Sequence, residues 1–318
     1  GADARTFLDR MLCGNVIRRS GRVGLGYLLN HHGMIKGEAT VANLPASDRG
    51  PARIWYGSAA ASEFHDMDWL QQHLRTGEDV RICSLTNDQT ILVLAGPKAR
   101  AVLSATSRGD WSNAAFPWLS VRECFVGIAP ATVMAVSFSG ELAYEIHVPN
   151  ASLYAAYLAL RKAGEAHGLA LFGARAVDAM RMEKGFLHWK ADILTEFDPF
   201  ETGLDRFVRL EKSSFIGKEA LAIRHAQGPR RTLVTLSLDC THAPAHAGAS
   251  VIEGGQVVGT VTSGAWGHRT GLNLAYAFVS PALSVPGTAT TIDVLGDLIP
   301  ARVIRPCPYD PEFARIRA

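Results

Sequence analysis

Residues 21–44, GRVGLGYLLNHHGMIKGEATVANL, decide how the chain is read. Two runs of strand-forming residues flank the polar turn Asn30-His31-His32-Gly33, the pattern of an antiparallel hairpin. Period-2 alternation puts Glu38 on one face with Lys36 and Thr40, opposite Ala39 and Val41. Ahead of the hairpin, Phe7, Leu8, Met11 and Leu12 recur at helical spacing, with Asp3 as a cap. Behind it come a strand at 53–56, a helix over 62–74 and short strands at 80–85 and 91–94. Gly96-Pro97 then punctuates before a helix that buries Ala101, Val102 and Leu103. Hairpins alternating with helices predict an α+β fold rather than a doubly wound parallel sheet.

The middle third repeats this style. Strands at 131–137 and 144–148 flank the turn Ser139-Gly140-Glu141, and helices follow over 151–167 and 173–184. Beyond Arg230 the chain turns to strands separated by Gly and Pro, including TLVTLSL, GGQVVGTVTSG and NLAYAFV. This reads as a separate antiparallel β-barrel or sandwich of about 85 residues. The polar stretch 224–231, with Gly228-Pro229, is the domain boundary. The expected division is 1–115, 116–228 and 229–318.

Composition narrows the function classes. The 318 residues are 47% hydrophobic and 19% charged, with 32 Lys and Arg against 30 acids, which excludes disorder and gives no basic field for nucleic acid. No run of eighteen apolar residues predicts a membrane span. Five scattered cysteines include no CxxC pair, so neither zinc nor a disulfide framework is expected, and a reducing cytoplasmic location fits. The opening GADARTFLDRML is no signal peptide, and its abrupt start inside a helix suggests that something precedes it. No GxGxxG opens a strand–turn–helix, and GxxxxGK[ST] and GxSxG are absent, so no FAD or NAD domain is expected. The pair His31-His32 lacks carboxylates or thiols at ligand spacing, and no metal site is predicted.

Two blocks are dense in polar residues among apolar ones. In FSGELAYEIHV, alternation puts Tyr144 and Ile146 on one face and Glu145 and His147 on the other. A mid-strand carboxylate is expensive to bury alone. Either it faces a ligand carrying adjacent N–H donors, such as a pterin ring, or it sits on an exposed face or pairs with Arg175 or Arg181. Glu38 is either a half-exposed strand residue neutralised by Lys36 or a pocket carboxylate able to steady a cationic nitrogen or relay a proton. In the second block, GARAVDAMRMEKGFLHWKADILTEFDPFETGLDRFV, Arg181 and Glu183 read as helix-surface charges. Trp189, in a loop, needs an apolar or aromatic partner, and Glu201 reads as a helix-start carboxylate.

SFSGELAYEIHVP resembles the S-Y-x-G-E-x-G-W-E strand of the tetrahydrofolate-binding aminomethyltransferase family, typified by the glycine-cleavage T-protein. AVDAMRMEKGFLHWKADI, DPFETGL and FIGKEAL resemble that family's following run in the right order, as do FLDRML and AGPKARAVL. Within the family, SEFHDMDWL and VVGTVTSGAWGHRTGLNLAYAFV are most similar to the folate-binding C-terminal half of dimethylglycine and sarcosine dehydrogenases. The similarity covers essentially the whole chain.

The resemblance implies a three-domain cloverleaf around a folate site: two α/β-sandwich-like domains, the first lacking its opening strands, and a C-terminal antiparallel β-barrel. It implies Glu38 as the catalytic acid and Glu145 as the pterin clamp, with Phe138, Trp189, Leu25, Tyr144 and Arg181 as further cofactor-binding residues. Three positions depart from the family pattern. Phe138 replaces a frequent Tyr, and Glu38 replaces Asp, moving the carboxylate by about an ångström. Val177 replaces the Arg of glycine-cleavage proteins, which argues against a lipoyl-protein role. The implied activity is capture by tetrahydrofolate of a one-carbon unit from an N-methyl amine such as dimethylglycine or sarcosine, giving 5,10-methylenetetrahydrofolate. The implied partners are a small methyl or aminomethyl donor and a flavoprotein domain or subunit. The alternatives are a stand-alone demethylase giving 5-methyltetrahydrofolate and a non-catalytic folate-binding protein.

Overall fold

The computed structural model describes residues 1–318 and shows two similar α+β units followed by a barrel. The first unit runs α1 (Ala4–Met11), β1 (Arg22–Leu29), β2 (Ile35–Leu44), β3 (Arg53–Gly57) and α2 (Glu63–Gln72). The second runs β4 (Gln89–Ala95), α3 (Ala99–Thr106), β5 (Val121–Val126), β6 (Ala129–Met134), β7 (Ala143–Pro149) and α4 (Leu153–Glu165). Their sheets have the orders β1-β2-β3 and β5-β6-β7-β4, so the second repeats the first and adds one edge strand. The repeat is written in the helices. Gly1-Ala2-Asp3-Ala4-Arg5-Thr6-Phe7-Leu8 parallels Gly96-Pro97-Lys98-Ala99-Arg100-Ala101-Val102-Leu103, and each buries its last apolar pair.

The two sheets meet edge to edge at the starts of β1 and β5. Arg22 and Ser120 form an antiparallel bridge, Val23 N donates to Leu119 O, and Val121 N donates to Gly21 O, both at 2.9 Å. Val23, Ala42, Val121 and Met134 form a small core over this junction. A larger core inside the second unit gathers Leu103, Trp111, Phe116, Tyr144 and Ile146.

After α4 come α5 (Ala174–Glu183), a long loop and α6 (Lys218–Gln227). The loop returns to the first unit: Trp189, Ile193, Leu204 and Phe215 share a core with Tyr27 and Leu29. The hairpin tip docks on the start of α6. There Gly33, at φ +77°, could not carry a Cβ, which would lie 2.7 Å from Leu221 N. The remaining strands, β8 (Thr232–Leu238), β9 (Ser250–Glu253), β10 (Gln256–Gly267), β11 (Leu272–Val279), β12 (Ala289–Val294) and β13 (Asp297–Ile304), close an antiparallel barrel in the order β10-β11-β8-β13-β12-β9. The expected α+β fold with a C-terminal barrel is therefore present.

Several local expectations change. Residues 80–85 form no strand: Val80 and Ile82 pack on the core of the first unit, but their backbone finds no neighbouring edge. Asp3 precedes α1 without capping it, because its Oδ2 accepts from Asp79 N at 2.9 Å instead. The charges at the end of α5 are buried, not on the surface. Arg181 reaches Asp192 and Asp178 and donates to Ser263 Oγ at 2.9 Å, while Asp192 also accepts from Thr262 Oγ1 at 2.6 Å. Glu183 accepts from Arg269 Nε at 2.6 Å, and Lys184 Nζ lies 2.8 Å from Asp310 Oδ2. One helix turn thus ties the second unit to the barrel and to the C-terminal segment.

Asp192 and Arg181 are 0% and 1% exposed, so removing one charge strands the other. Asp192→Ala is expected to lower unfolding free energy by about 3–5 kcal/mol, read from urea denaturation. A loss below ~1 kcal/mol would show that the pair is dispensable.

Candidate functional site

The junction of the two sheets creates a cleft. On the inner face of β1, Val23 and Tyr27 are 2% and 1% exposed, yet Leu25 between them is 41% exposed. Leu25 therefore forms an open floor, and it pairs across the hairpin with Thr40, as Tyr27 does with Glu38. From the second unit, Glu145 on β7 pairs with Met134 of the junction core and so shares its face. His147, two residues on, lies edge-on to Trp55 of β3 with ring centroids 5.1 Å apart. The sheets thus curl toward each other, with Glu38 on one wall and Glu145 on the other.

Glu38 has one polar partner. The Tyr27 hydroxyl donates to Oε2 at 2.8 Å. Burial pushes the carboxyl up to about 7, against the opposing pull of this hydrogen bond. Burial likewise pushes the Cys13 thiol, beneath Tyr27, up to about 12, so it supplies no thiolate nucleophile. Of the two readings of Glu38, neutralisation by Lys36 fails for a geometric reason. Leu28 pairs with Gly37 but Leu29 with Ile35, so Lys36 is the extra residue of a β-bulge. Its ammonium lies 5.3 Å from the Trp69 ring of α2, on the other side of the sheet. The carboxylate of Glu38 is left without a cation.

Glu145 is half-buried and meets neither Arg175 nor Arg181; its nearest polar neighbour is His147 Nε2, 3.3 Å from Oε2. Phe138 is exposed and faces His188 at 6.3 Å between ring centroids. The turn that carries Phe138 is held by Glu141, which accepts from Tyr309 OH at 2.6 Å and Arg269 Nη1 at 3.0 Å. Trp189 is buried beside Tyr27, and its Nε1 donates to Ser62 Oγ at 2.6 Å, so it backs the Glu38 wall.

Two expected ligand contacts are corrected. Tyr144 is 0% exposed inside the core of the second unit, on the strand face away from Glu145, and Arg181 is consumed by its buried ion pairs. Neither offers surface to a ligand. Glu201 does not start a helix; it is buried and accepts from Arg230 Nε and Nη2, both at 2.9 Å, latching the loop to the barrel. His31 packs among Trp69 and His73, and no group of metal-ligating side chains forms. Sequence reading missed Tyr27, Trp55 and Ser62 as site-building residues. Tyr27 could be found by counting back from the hairpin turn only if the bulge at Lys36 were known.

An open apolar floor, a buried carboxyl group raised to about 7 and a second, half-buried carboxyl group make this junction the candidate small-molecule site. Residues 1–212 match the GCVT N-terminal domain family, and residues 231–310 match the glycine cleavage T-protein C-terminal barrel domain, so the chain belongs to the glycine-cleavage T-protein family. It is 33% identical over 307 residues to the mitochondrial dimethylglycine dehydrogenase of Rattus norvegicus, covering 96% of this chain and 35% of that protein. It is 31% identical over 256 residues to an aminomethyltransferase of Symbiobacterium thermophilum, covering 79% of this chain and 68% of the relative. The crystal structure of the glycine cleavage system aminomethyltransferase T from Bartonella henselae matches at TM-score 0.85 and 25% identity, covering 99% of this chain and 82% of that one. The chain spans about a third of the length of the dehydrogenases it matches. No helix is long and apolar enough to cross a membrane.

The raised Glu38 value has a stability consequence. Between the ordinary carboxyl value of 4.5 and about 7, the folded chain holds a proton that the unfolded chain has released, so stability falls as pH rises through that window. Glu38→Gln removes this loss. Relative to the parent, the variant is expected to gain about 2 kcal/mol in unfolding free energy from pH 5 to pH 8, measured by urea titration at both values. An equal difference at the two pH values would refute the buried, cation-free placement.

Proposed function

We propose that this chain is a tetrahydrofolate-dependent one-carbon transferase acting on a unit derived from an N-methylated amine such as dimethylglycine or sarcosine, with 5,10-methylenetetrahydrofolate as product. The observation that carries this reading is the placement, on the two sheets that meet at the seam, of a cation-free acid raised to about 7 and of a half-buried carboxyl group whose one close polar neighbour is His147. The relatives named as dimethylglycine dehydrogenase, sarcosine dehydrogenase and aminomethyltransferase support the substrate class.

The residues fit a reduced pterin. Glu145 offers two acceptor oxygens to adjacent N–H donors, a charge-assisted fork in a half-buried setting. Leu25 and Phe138 supply exposed apolar surface for a flat ring. When bound, tetrahydrofolate supplies the nucleophilic nitrogens that take up the one-carbon unit. The protein's own contribution is alignment and charge. Glu38, as carboxylate, stabilises a cationic amine nitrogen without competition from a neighbouring cation. As carboxylic acid, it delivers a proton to a departing amine. Tyr27 fixes its Oε2, leaving Oε1 for that work. Holding both reactants in one cleft turns a bimolecular encounter into a positioned one. The amine oxidation that precedes capture is assigned to a flavoprotein domain or subunit, since no dinucleotide-binding motif is present in these residues.

The test begins with anaerobic calorimetric titration of the chain with tetrahydrofolate. Micromolar binding is expected, and Glu145→Ala is expected to weaken it at least tenfold. Chromatography of products formed with dimethylglycine or sarcosine and an amine-oxidising flavoprotein should then show 5,10-methylenetetrahydrofolate, with Glu38→Gln slowing its formation at least tenfold. Formation of 5-methyltetrahydrofolate would overturn the reading in favour of a demethylase. Tight binding with no product above background would overturn it in favour of a non-catalytic folate-binding protein.

A further inference from the structure

We propose that His147 is the positioning residue of the ligand clamp: its ring, held edge-on by Trp55, fixes the Glu145 carboxylate in the orientation that receives the ligand's N–H donors. This deepens the folate reading and rests on it for the identity of the ligand.

The side chain of His147 is 5% exposed, and neither ring nitrogen makes a hydrogen bond. Buried imidazoles almost always satisfy at least one nitrogen, because an orphaned polar atom forfeits its hydration. A phenylalanine would fill the same place beside Trp55 without that penalty, so packing alone does not account for a histidine. The acidic neighbour within reach is Glu145, whose Oε2 lies 3.3 Å from Nε2 without forming a hydrogen bond. A modest rotation of Glu145, which is half-buried and otherwise unpartnered, converts this approach into an Nε2–H donation. Oε1 and the remaining lone pair of Oε2 then stay available to the ligand.

The location supports the role. Glu145 and His147 are on the same face of β7, paired across to Met134 and Thr132 of β6. Trp55, which touches the His147 ring, belongs to the first sheet. His147 therefore connects the wall carrying the clamp to the opposite sheet, and the distance between the sheets sets where the carboxylate points.

Two variants and one spectroscopic measurement test this. His147→Phe keeps the ring shape, and its melting temperature is expected to equal or exceed the parent's. Its tetrahydrofolate affinity, by anaerobic calorimetry, is expected to fall at least tenfold. His147→Gln, which restores an N–H donor, is expected to recover affinity to within threefold of the parent. In a Glu145→Ala background, His147→Phe should cause no further loss, because it acts through that carboxylate. Unchanged affinity in His147→Phe, or an equal loss with and without Glu145, overturns the proposal. A second readout needs no ligand: nitrogen-15 NMR of the free chain should show His147 as the Nε2–H tautomer, and Glu145→Ala should abolish that preference. An Nδ1–H tautomer in the parent overturns the proposal whether or not folate binds. Absence of tetrahydrofolate binding in the parent with the Nε2–H tautomer intact overturns the ligand identity alone and upholds the His147–Glu145 contact.

Discussion

The edge-to-edge contact between β1 and β5 sets the geometry on which the site depends. Two reciprocal backbone hydrogen bonds and a five-residue apolar core hold the sheets at this seam. Apolar burial makes the seam dry, and the backbone pairing fixes its register. Beyond it Leu25 remains open to solvent between two buried neighbours, Val23 and Tyr27. Both acids of the cleft, Glu38 and Glu145, sit on strands. Strands hold side chains more tightly than loops do.

The second constraint is the set of charges at the end of α5. Three buried charged groups within four residues there (Arg181, Glu183 and Lys184) each bind a different segment of the chain. Such pairs give little net stability over well-packed apolar residues, but each group tolerates only its own partner. Arg181 and Asp192 bracket the loop holding His188 and Trp189, and Glu183 anchors the Arg269 that also reaches Glu141. Both the loop behind the Glu38 wall and the turn bearing Phe138 are therefore positioned from one helix end. The barrel takes part in the site indirectly, by gripping that helix.

How much of this was legible in the sequence differs residue by residue. The hairpin, most helices and the barrel follow from periodicity and turn residues, and the faces of Glu145 and His147 follow from simple alternation. Lys36 was misplaced because a single bulged residue moves a side chain to the other face of a sheet, and nothing in the local sequence marks it. Arg181 read as a helix-surface charge and Glu201 as a helix-start carboxylate because the partners that bury them, Asp192 and Ser263 for Arg181 and Arg230 for Glu201, lie 11, 82 and 29 residues away, beyond any local pattern. Tyr144 was assigned to the ligand by its motif, yet the same alternation that turns Glu145 toward the cleft turns Tyr144 into the core. The raised titration of Glu38 was out of reach from sequence, since it comes from burial that only the tertiary packing reveals.

The internal repeat carries a consequence for the number of sites. Superposing the seams, with Val23 on Val121 and Ala42 on Met134, matches strand positions through the observed registers. Glu38 then corresponds to Pro130, and Glu145 corresponds to Trp55. A frame with twofold character could host two equivalent half-sites, but each unit keeps only one of the two acids and fills the other position with a residue unable to ionise. The asymmetry gives the two walls of the cleft different chemistry at matched positions. The repeated scaffold is symmetric in its backbone, and the residues at two matched positions give the cleft its polarity.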